Sequence, residues 1–168
     1  HLRCWRGLGG GVYLMVDQVA LGILKRQEGK RNDVYRDHLG YWTVGYGHLV
    51  SRDKLLTEAE ARALVGAPLS DDRCERLLVL DYEARCHQLF MELSWAEALP
   101  EWPKRGLCNM AFQMGVHGVL GFPKMLAALR LNEWDAARAH ALNSTWAKEQ
   151  TPVRAAEVAT MIGNEAIA

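Results

Sequence analysis

The chain has 168 residues, of which 49% are hydrophobic and 24% are charged. This composition is typical of a globular protein and excludes an intrinsically disordered chain. Lys plus Arg and Asp plus Glu both number 20, so the formal net charge is zero and gives no support to nucleic-acid binding. The length suits one domain, or two small lobes that share a helix.

Residues 1–14 differ in character from the rest of the chain. They combine two arginines with the beginning of an apolar, glycine-rich run that Asp17 ends. We interpret them as a cloning remnant or an upstream extension, with Met15 as a candidate natural start. A signal-anchor segment is the alternative interpretation, although no small-residue cleavage site follows the run. No stretch approaches the ~18 apolar residues that a membrane-spanning helix needs.

The next segment predicts a helix followed by short strands. Asp17 is a good N-cap, apolar residues recur after it with helical spacing, and Gly29 is a typical helix end. Residues 34–46 are rich in aromatic residues, β-branched residues and glycine. They predict two or three antiparallel strands with a turn at residues 38–40.

Helices are predicted for the remainder. Thr57 begins a capping box ahead of a short helix. Ser70 caps a long helix with an apolar stripe. Thr151 and Pro152 are typical of the start of the last helix. We therefore predict an α+β fold that is predominantly helical, with a small N-terminal lobe containing a β-hairpin, a long connecting helix and a larger helical C-terminal lobe.

The cysteines and histidines form no metal-binding pattern. The four cysteines include no CxxC pair and the six histidines no HxxxH or HExxH pattern, so we expect no metal and no cofactor. Cys74 and Cys86 fall in one predicted helix, roughly 18 Å apart, which is too far for a disulfide bond. Reduced thiols are typical of a protein made in a cytoplasm.

The stretch "EGKRNDVYRDHLGYWTVGYGH" holds the candidate chemistry. Glu28 lies at the end of the first predicted helix, where the partial negative charge of the helix disfavours an ionised carboxylate. Asp37 lies at the predicted turn, where hydrogen-bond donors and solvent favour the ionised form. Two carboxyl groups in unlike environments are what glycosidic bond cleavage requires. Thr43 could orient a water, and Gly45 and Gly47 would let a polymer approach the backbone. On spacing alone, a solvated charged turn also explains these residues.

This stretch resembles the signature of the phage-type lysozymes, glycoside hydrolase family 24. The family pattern is Glu, eight residues, Asp, five residues, Thr, then Gly-x-Gly-His, and it is matched without a gap. Two further blocks match, "NMAFQMGVHGVLGF" at residues 109–122 and "STWAKEQTPVRA" at residues 144–155. The resemblance covers residues 17–165.

The resemblance implies a lysozyme-like fold for residues 15–168. It implies an N-terminal lobe at about 28–70, a connecting helix at about 70–90 and a C-terminal lobe at about 91–168. The first helix, 17–28, would pack on the C-terminal lobe.

The resemblance also implies the reaction. The chain would be a muramidase that cleaves the β-1,4 bond between N-acetylmuramic acid and N-acetylglucosamine in peptidoglycan, as a phage endolysin in host cell lysis. Glu28 would be the general acid. Asp37 would be the second carboxylate, described as a base or water-positioning group in an inverting reaction, and Thr43 would help to hold the attacking water.

Further positions match family residues with supporting roles. Leu49, Phe112 and Gln113 match positions that line the sugar cleft, although packing in the core or at the rim is the alternative interpretation, for Phe112 in particular. Met114 and Trp146 are expected in the core of the helical lobe.

An arginine and a histidine–aspartate pair are expected to support the site. Arg154 matches an arginine that faces the catalytic acid. A guanidinium beside Glu28 would favour the ionised carboxylate, whereas the helix end favours the protonated form, and the sequence leaves this balance open. His48 matches a histidine that pairs with an aspartate on the long helix. Counting from the Ser70 cap places Asp81 there, so we predict a His48–Asp81 ion pair with a structural role.

Two other functions compete with the hydrolase. A lytic transglycosylase needs no water-activating partner, and Asp37 and Thr43 make it the weaker candidate. A wall-binding domain that has lost catalysis is disfavoured because Glu28, Asp37 and Thr43 are all present.

We expect a monomer that acts on peptidoglycan, without nucleic acid and without stable membrane insertion. It would stay in the host cytoplasm until a separate membrane-pore protein releases it to the periplasm and cell wall, with signal-anchor export as the alternative.

Overall fold

The computed structural model describes residues 17–168, so the N-terminal extension, residues 1–14, lies outside the described part of the chain. Helices predominate and three strands form one antiparallel sheet, which confirms the predicted α+β class. The strands are β1 (Arg31–Arg36), β2 (Trp42–Gly45) and β3 (His48–Ser51). The helices are α1 (Gln18–Glu28), α2 (Glu58–Val65), α3 (Asp71–Glu92), α4 (Glu101–Leu120), α5 (Pro123–Arg130), α6 (Trp134–Leu142) and α7 (Pro152–Ile162), with a 3-10 helix at Ser94–Ala98 and a π-helical turn at Trp146–Gln150.

The described residues divide into two compact units, 17–82 and 83–168, with the boundary inside α3. The first unit holds α1, the sheet, α2 and the first half of α3, and the second unit holds the remaining helices. This division groups α1 with the sheet, and the expected packing of α1 on the C-terminal lobe stays a prediction. Within residues 17–168, none of the helices has the length and apolar character needed to cross a membrane.

The first helix begins and ends where the sequence predicts. The Asp17 side chain accepts a hydrogen bond of 3.1 Å from the backbone N–H of Ala20. Gly29 ends the helix with φ 67°, in the left-handed region that glycine tolerates best. The consequence for the site is that Glu28 is the last residue of α1. The buried face of α1 consists of Ala20, Leu21, Ile23 and Leu24.

The sheet is ordered β1-β2-β3, with both pairs antiparallel. The turn predicted at residues 38–40 is present, and the N–H of Gly40 donates to the carbonyl of Asp37 at 2.9 Å. One hydrophobic cluster supports the sheet, and its buried members come from β1, β2, α2, α3 and the segment before α3: Val34, Trp42, Val44, Ala61, Leu69 and Cys74.

Asn32 connects the sheet to the start of α3. Its side-chain amide donates to the backbone carbonyl of Leu69 and to Asp71 Oδ1, both at 2.8 Å. The backbone carbonyl of Asn32 accepts from the N–H of Leu69 at 2.7 Å. Ser70 caps α3 as predicted, because its hydroxyl accepts from the N–H of Arg73 at 3.2 Å. These bonds fix where α3 begins relative to β1.

In the second unit, α4 contains a break. Gly115 has φ 75° and ψ 165°, which no α-helical residue adopts, so the helix changes direction there. Trp146, predicted for the core of this lobe, is buried, whereas Met114 is only half-buried.

The start of α7 differs from the prediction in one respect. Pro152 occupies the first turn of the helix as expected, but the Thr151 hydroxyl makes no capping bond. It accepts a hydrogen bond of 3.2 Å from the side-chain amide of Gln113 instead. The capping box at Thr57 is confirmed, with reciprocal bonds to Glu60.

Two glycines of the first unit should respond oppositely to alanine. Gly45 has φ 68°, so Gly45→Ala should lower the free energy of unfolding by about 1–2 kcal/mol. Gly22 is exposed in the middle of α1, with open space where a Cβ would stand, so Gly22→Ala should raise it by about 0.5–1 kcal/mol. Urea unfolding of both variants measures this. Equal stability of Gly45→Ala and the unchanged protein would contradict the backbone argument.

Candidate active site

Glu28 lies against the turn between β2 and β3. A Cβ placed on Gly47 would stand 3.4 Å from Glu28 Oε2, so this carboxylate oxygen lies beside the Gly47 backbone. Gly47 has φ 84°, a conformation that L side chains rarely adopt. The end of α1 and this glycine turn therefore meet, and they bring the predicted acid next to the sheet.

Asp37 occupies the turn between β1 and β2. Its Oδ1 accepts two backbone hydrogen bonds, from Leu39 at 2.9 Å and from Tyr41 at 2.8 Å. The backbone N–H of Asp37 donates in turn to the carbonyl of Tyr41 at 2.9 Å. Charge-assisted bonds of this kind fix the orientation of a carboxylate. The hydrogen-bond donors that the sequence analysis expected here are these two backbone N–H groups.

Thr43 is buried in β2, with 4% of its surface exposed. It faces Tyr35 of β1 and Leu49 of β3 in the register of the sheet. Its hydroxyl donates to the carbonyl of Tyr41 at 3.2 Å. Because the single proton of the hydroxyl is used there, Thr43 Oγ1 is left as a hydrogen-bond acceptor, which suits a bound water that donates to it.

Tyr35 lies within electrostatic reach of both candidate carboxylates, and the sequence analysis did not single it out. The Arg31 guanidinium carbon stands 4.5 Å from the centre of its ring. Burial raises the pKa of the Tyr35 hydroxyl, Arg31 lowers it, and the negative charges of Glu28 and Asp37 raise it further. Its position in β1, two residues before Asp37, is the signal that could have indicated it.

His48 and Asp81 form the predicted pair. His48 Nδ1 lies 2.8 Å from Asp81 Oδ2, and both side chains are partly exposed. The hydrogen bond to Asp81 raises the pKa of His48, burial opposes that rise, and the charge of Asp81 adds to it. The pair connects the first residue of β3 to α3, next to the turn that carries Gly47.

The predicted sugar-contacting residues are distributed over both units. Leu49 belongs to the first unit and is exposed on β3, whereas Phe112 and Gln113 lie half-buried on α4 in the second. The Gln113 amide is held by two neighbours: its oxygen accepts from the Trp146 indole at 3.1 Å, and its nitrogen donates to Thr151. The contacts of these residues with sugar stay predictions.

Arg154 is held by a residue that the sequence analysis did not identify. Its Nε and one terminal nitrogen both donate to Asn109 Oδ1, at 3.2 and 3.1 Å. Asn109 is 3% exposed, in the buried part of α4. A lone amide inside the apolar run "LCNMAF" is the signal that could have indicated it, since buried polar groups are normally hydrogen-bonded. The role of Arg154 toward Glu28 stays a prediction.

The chain is similar to known proteins over most of its length. A family model described as phage lysozyme matches residues 25–158. Probable T4-type lysozymes 1 and 2 of Dictyostelium discoideum are each 30% identical to the chain; the matches cover 83% and 81% of this chain and 91% and 88% of theirs. The pre-baseplate central spike protein Gp5 of Enterobacteria phage T4 is 33% identical over 83% of this chain, but the chain spans only 27% of that protein's length.

These matches and the α+β fold define a lysozyme, an enzyme of the glycoside hydrolase class. The chain belongs to the phage lysozyme family, whose model covers most of its length. It is a lysozyme-type peptidoglycan hydrolase. Among residues 17–168, no group of three or more His, Cys, Asp and Glu side chains could hold a metal ion.

The His48–Asp81 pair predicts a pH-dependent stability. Because the pKa of His48 is raised above the usual 6.5 in the folded state, folding favours the protonated ring. The stabilisation is complete below about pH 6.5 and is lost as the pH rises through the higher folded value. Asp81→Asn should therefore lower the free energy of unfolding by about 1–2 kcal/mol at pH 5.5 and by much less at pH 9.

Denaturant unfolding from pH 5 to pH 9 measures this difference. His87→Gln is the control, because His87 is exposed on the same helix, and its effect should not follow the same pH course. A loss in Asp81→Asn that is constant with pH would show that the pair is not charged.

Proposed function

We propose that the enzyme hydrolyses the β-1,4 bond between N-acetylmuramic acid and N-acetylglucosamine, with Glu28 as the general acid. The observation that supports this is the pair of carboxylates in one unit. Glu28 and Asp37 both raise the pKa of the Tyr35 hydroxyl, so both lie within electrostatic reach of one group. Most glycosidases cleave their substrate with two carboxyl groups that flank the scissile bond.

The two carboxylates would act at different steps. Glu28, beside the open backbone of Gly47, would give its proton to the oxygen of the departing sugar. Asp37, fixed by two backbone donors, would orient and activate the attacking water. Thr43 would accept a hydrogen bond from the same water. Proton transfer by a positioned side chain contributes roughly 10²–10⁴ to the rate.

The remaining predicted residues would bind the substrate or support the catalytic groups. Leu49, Phe112 and Gln113 would contact the sugars, with Gly45 and Gly47 allowing the polymer close to the backbone. Arg154 would orient the Glu28 carboxylate, and the His48–Asp81 pair would hold β3 in place. The expected partner is peptidoglycan, bound by a monomer.

Thr43 favours hydrolysis over the transglycosylase alternative. A transglycosylase closes an internal 1,6-anhydro ring and has no use for a water-holding acceptor. The buried Thr43 oxygen, whose proton is already donated to Tyr41, has the chemistry that a hydrolytic water requires. Products that end in a 1,6-anhydro sugar would favour the transglycosylase.

Glu28→Gln should reduce the rate of wall hydrolysis at least about hundredfold, because the amide cannot supply the proton. The thermal unfolding midpoint should change little, since the substitution keeps the side-chain shape. The control is Glu83→Gln, at an exposed glutamate on α3, which should keep full activity. Release of reducing ends from purified peptidoglycan measures the rate. More than a tenth of the original activity in Glu28→Gln would exclude Glu28 as the acid.

We propose an endolysin role, in which the enzyme waits in the host cytoplasm. Bacteria that produce the active chain should stay intact until chloroform permeabilises the membrane, and should then lyse within minutes. Cells that produce Glu28→Gln should not lyse. Lysis before permeabilisation by the full chain, but not by residues 15–168, would instead show export directed by the N-terminal residues.

The similarity to the spike protein supports a second candidate role, as part of a phage baseplate assembly. An antibody against the chain distinguishes the two roles. Detection in purified particles would favour the baseplate, and detection only in the lysate would favour the endolysin.

A further inference from the structure

The turn ahead of α7 is wider than an α-helical turn. The N–H of Thr151 donates to the carbonyl of Trp146, five residues back, at 3.0 Å. A π-helical turn of this kind holds one more residue than an α-helical turn, and such turns are frequent at functional sites. Here the extra residue brings the side chains of Trp146 and Thr151 to the same group, the amide of Gln113.

Trp146 determines which way the Gln113 amide points. An indole N–H can only donate, so its partner at 3.1 Å must be the amide oxygen. The opposite orientation would place the NH₂ group against another donor. Trp146 is itself fixed, since it is 5% exposed and meets the Phe122 ring edge-on, with centroids 5.9 Å apart.

Thr151 secures the other end of the amide. Gln113 Nε2 donates to the Thr151 hydroxyl at 3.2 Å. The Thr151 hydroxyl makes this bond and makes no capping bond to α7. Proline at the next position leaves α7 with one fewer unpaired N–H group in its first turn.

The amide keeps part of its hydrogen-bonding capacity. A carboxamide has two N–H groups and two oxygen lone pairs, and Trp146 and Thr151 use one of each. No other side chain among residues 17–168 bonds to the Gln113 amide, and Gln113 is only half-buried. The remaining N–H and the remaining lone pair match the C=O and N–H of a secondary amide.

We propose that Trp146 and Thr151 are positioning residues, which hold the Gln113 carboxamide in the one orientation that recognises a secondary amide of the substrate. The inference rests on the proposed function, in which Gln113 contacts peptidoglycan. Peptidoglycan offers this group from two sources, the N-acetyl substituents of its sugars and the peptide bonds of its stems. The π-helical turn places Trp146 and Thr151 where both can form a hydrogen bond with the Gln113 amide.

Removing the Thr151 hydroxyl isolates this role. Thr151→Val keeps the branched shape but frees Gln113 Nε2, so the amide can leave its binding orientation. Thr151→Ser keeps the hydroxyl and should restore binding. Thr160→Val is the matched control, because within residues 17–168 the Thr160 hydroxyl, on α7, bonds only to the carbonyl of Ala156. Thermal unfolding of each variant shows whether it is folded.

Binding is measured without turnover, in the Glu28→Gln background. Nitrogen-labelled protein is titrated with tri-N-acetylchitotriose, which carries acetamido groups only, and with a disaccharide that carries a stem peptide. The resonances followed are the Gln113 side-chain amide and the Trp146 indole N–H. We expect Thr151→Val to weaken binding by about threefold to tenfold, and Thr151→Ser and Thr160→Val by less than about twofold.

The outcomes separate the inference from the proposed function. Shifts with chitotriose identify the acetamido group as the ligand, and shifts only with the peptide-bearing disaccharide identify the stem. Equal affinity of Thr151→Val and its parent, or shifts that leave the Gln113 amide unmoved, would overturn the inference. In the Glu28-containing enzyme, Thr151→Val should raise KM by the same factor with kcat within about twofold. Failure of the enzyme without any substitution to hydrolyse walls would instead overturn the proposed function.

Discussion

The geometry of the first unit depends on where α1 ends. Gly29 turns the chain out of the helix with a positive φ, which makes Glu28 the last helical residue. A second glycine with a positive φ, Gly47, leaves open backbone beside the Glu28 carboxylate. Two local backbone conformations that favour glycine therefore bring together a helix end and a strand turn that are separated by 19 positions.

The frame around this contact combines apolar packing with a few polar bonds. Asn32 joins β1 to the start of α3 through partly buried hydrogen bonds, and His48 joins β3 to the same helix. The pairs Lys25–Glu75 and Lys30–Asp71 are both 2.6 Å long, but they involve exposed groups, and such pairs contribute little net stability. The position of the sheet is therefore set by its buried cluster and by Asn32 rather than by surface charges.

Side-chain amides play a comparable part in the second unit. Asn109 is buried in α4 and accepts from Arg154, and Gln113, four residues later on the same helix, is held by Trp146 and Thr151. Residues four apart share a helix face, so one face of α4 fixes the guanidinium and presents the carboxamide. A carboxamide that is bonded at both its oxygen and its nitrogen has few alternative rotamers, which suits a residue that must meet a substrate in one orientation.

Local features of the sequence determined the elements and the catalytic candidates. The caps at Asp17, Thr57 and Ser70 and the glycine at position 29 act within a few residues, so the helix boundaries could be predicted from them. The resemblance of three ordered blocks identified Glu28, Asp37, Thr43 and the His48–Asp81 contact.

Only the tertiary structure decided which side chains Tyr35, Asn109 and Thr151 contact. The folded backbone brings these partners near, and for Asn109 and Thr151 the partners lie on other elements, some 40 positions away. Neither periodicity nor capping patterns carry information about such contacts. Thr151 illustrates the difference, because its local pattern predicts a cap, whereas the folded chain offers its hydroxyl the amide of Gln113.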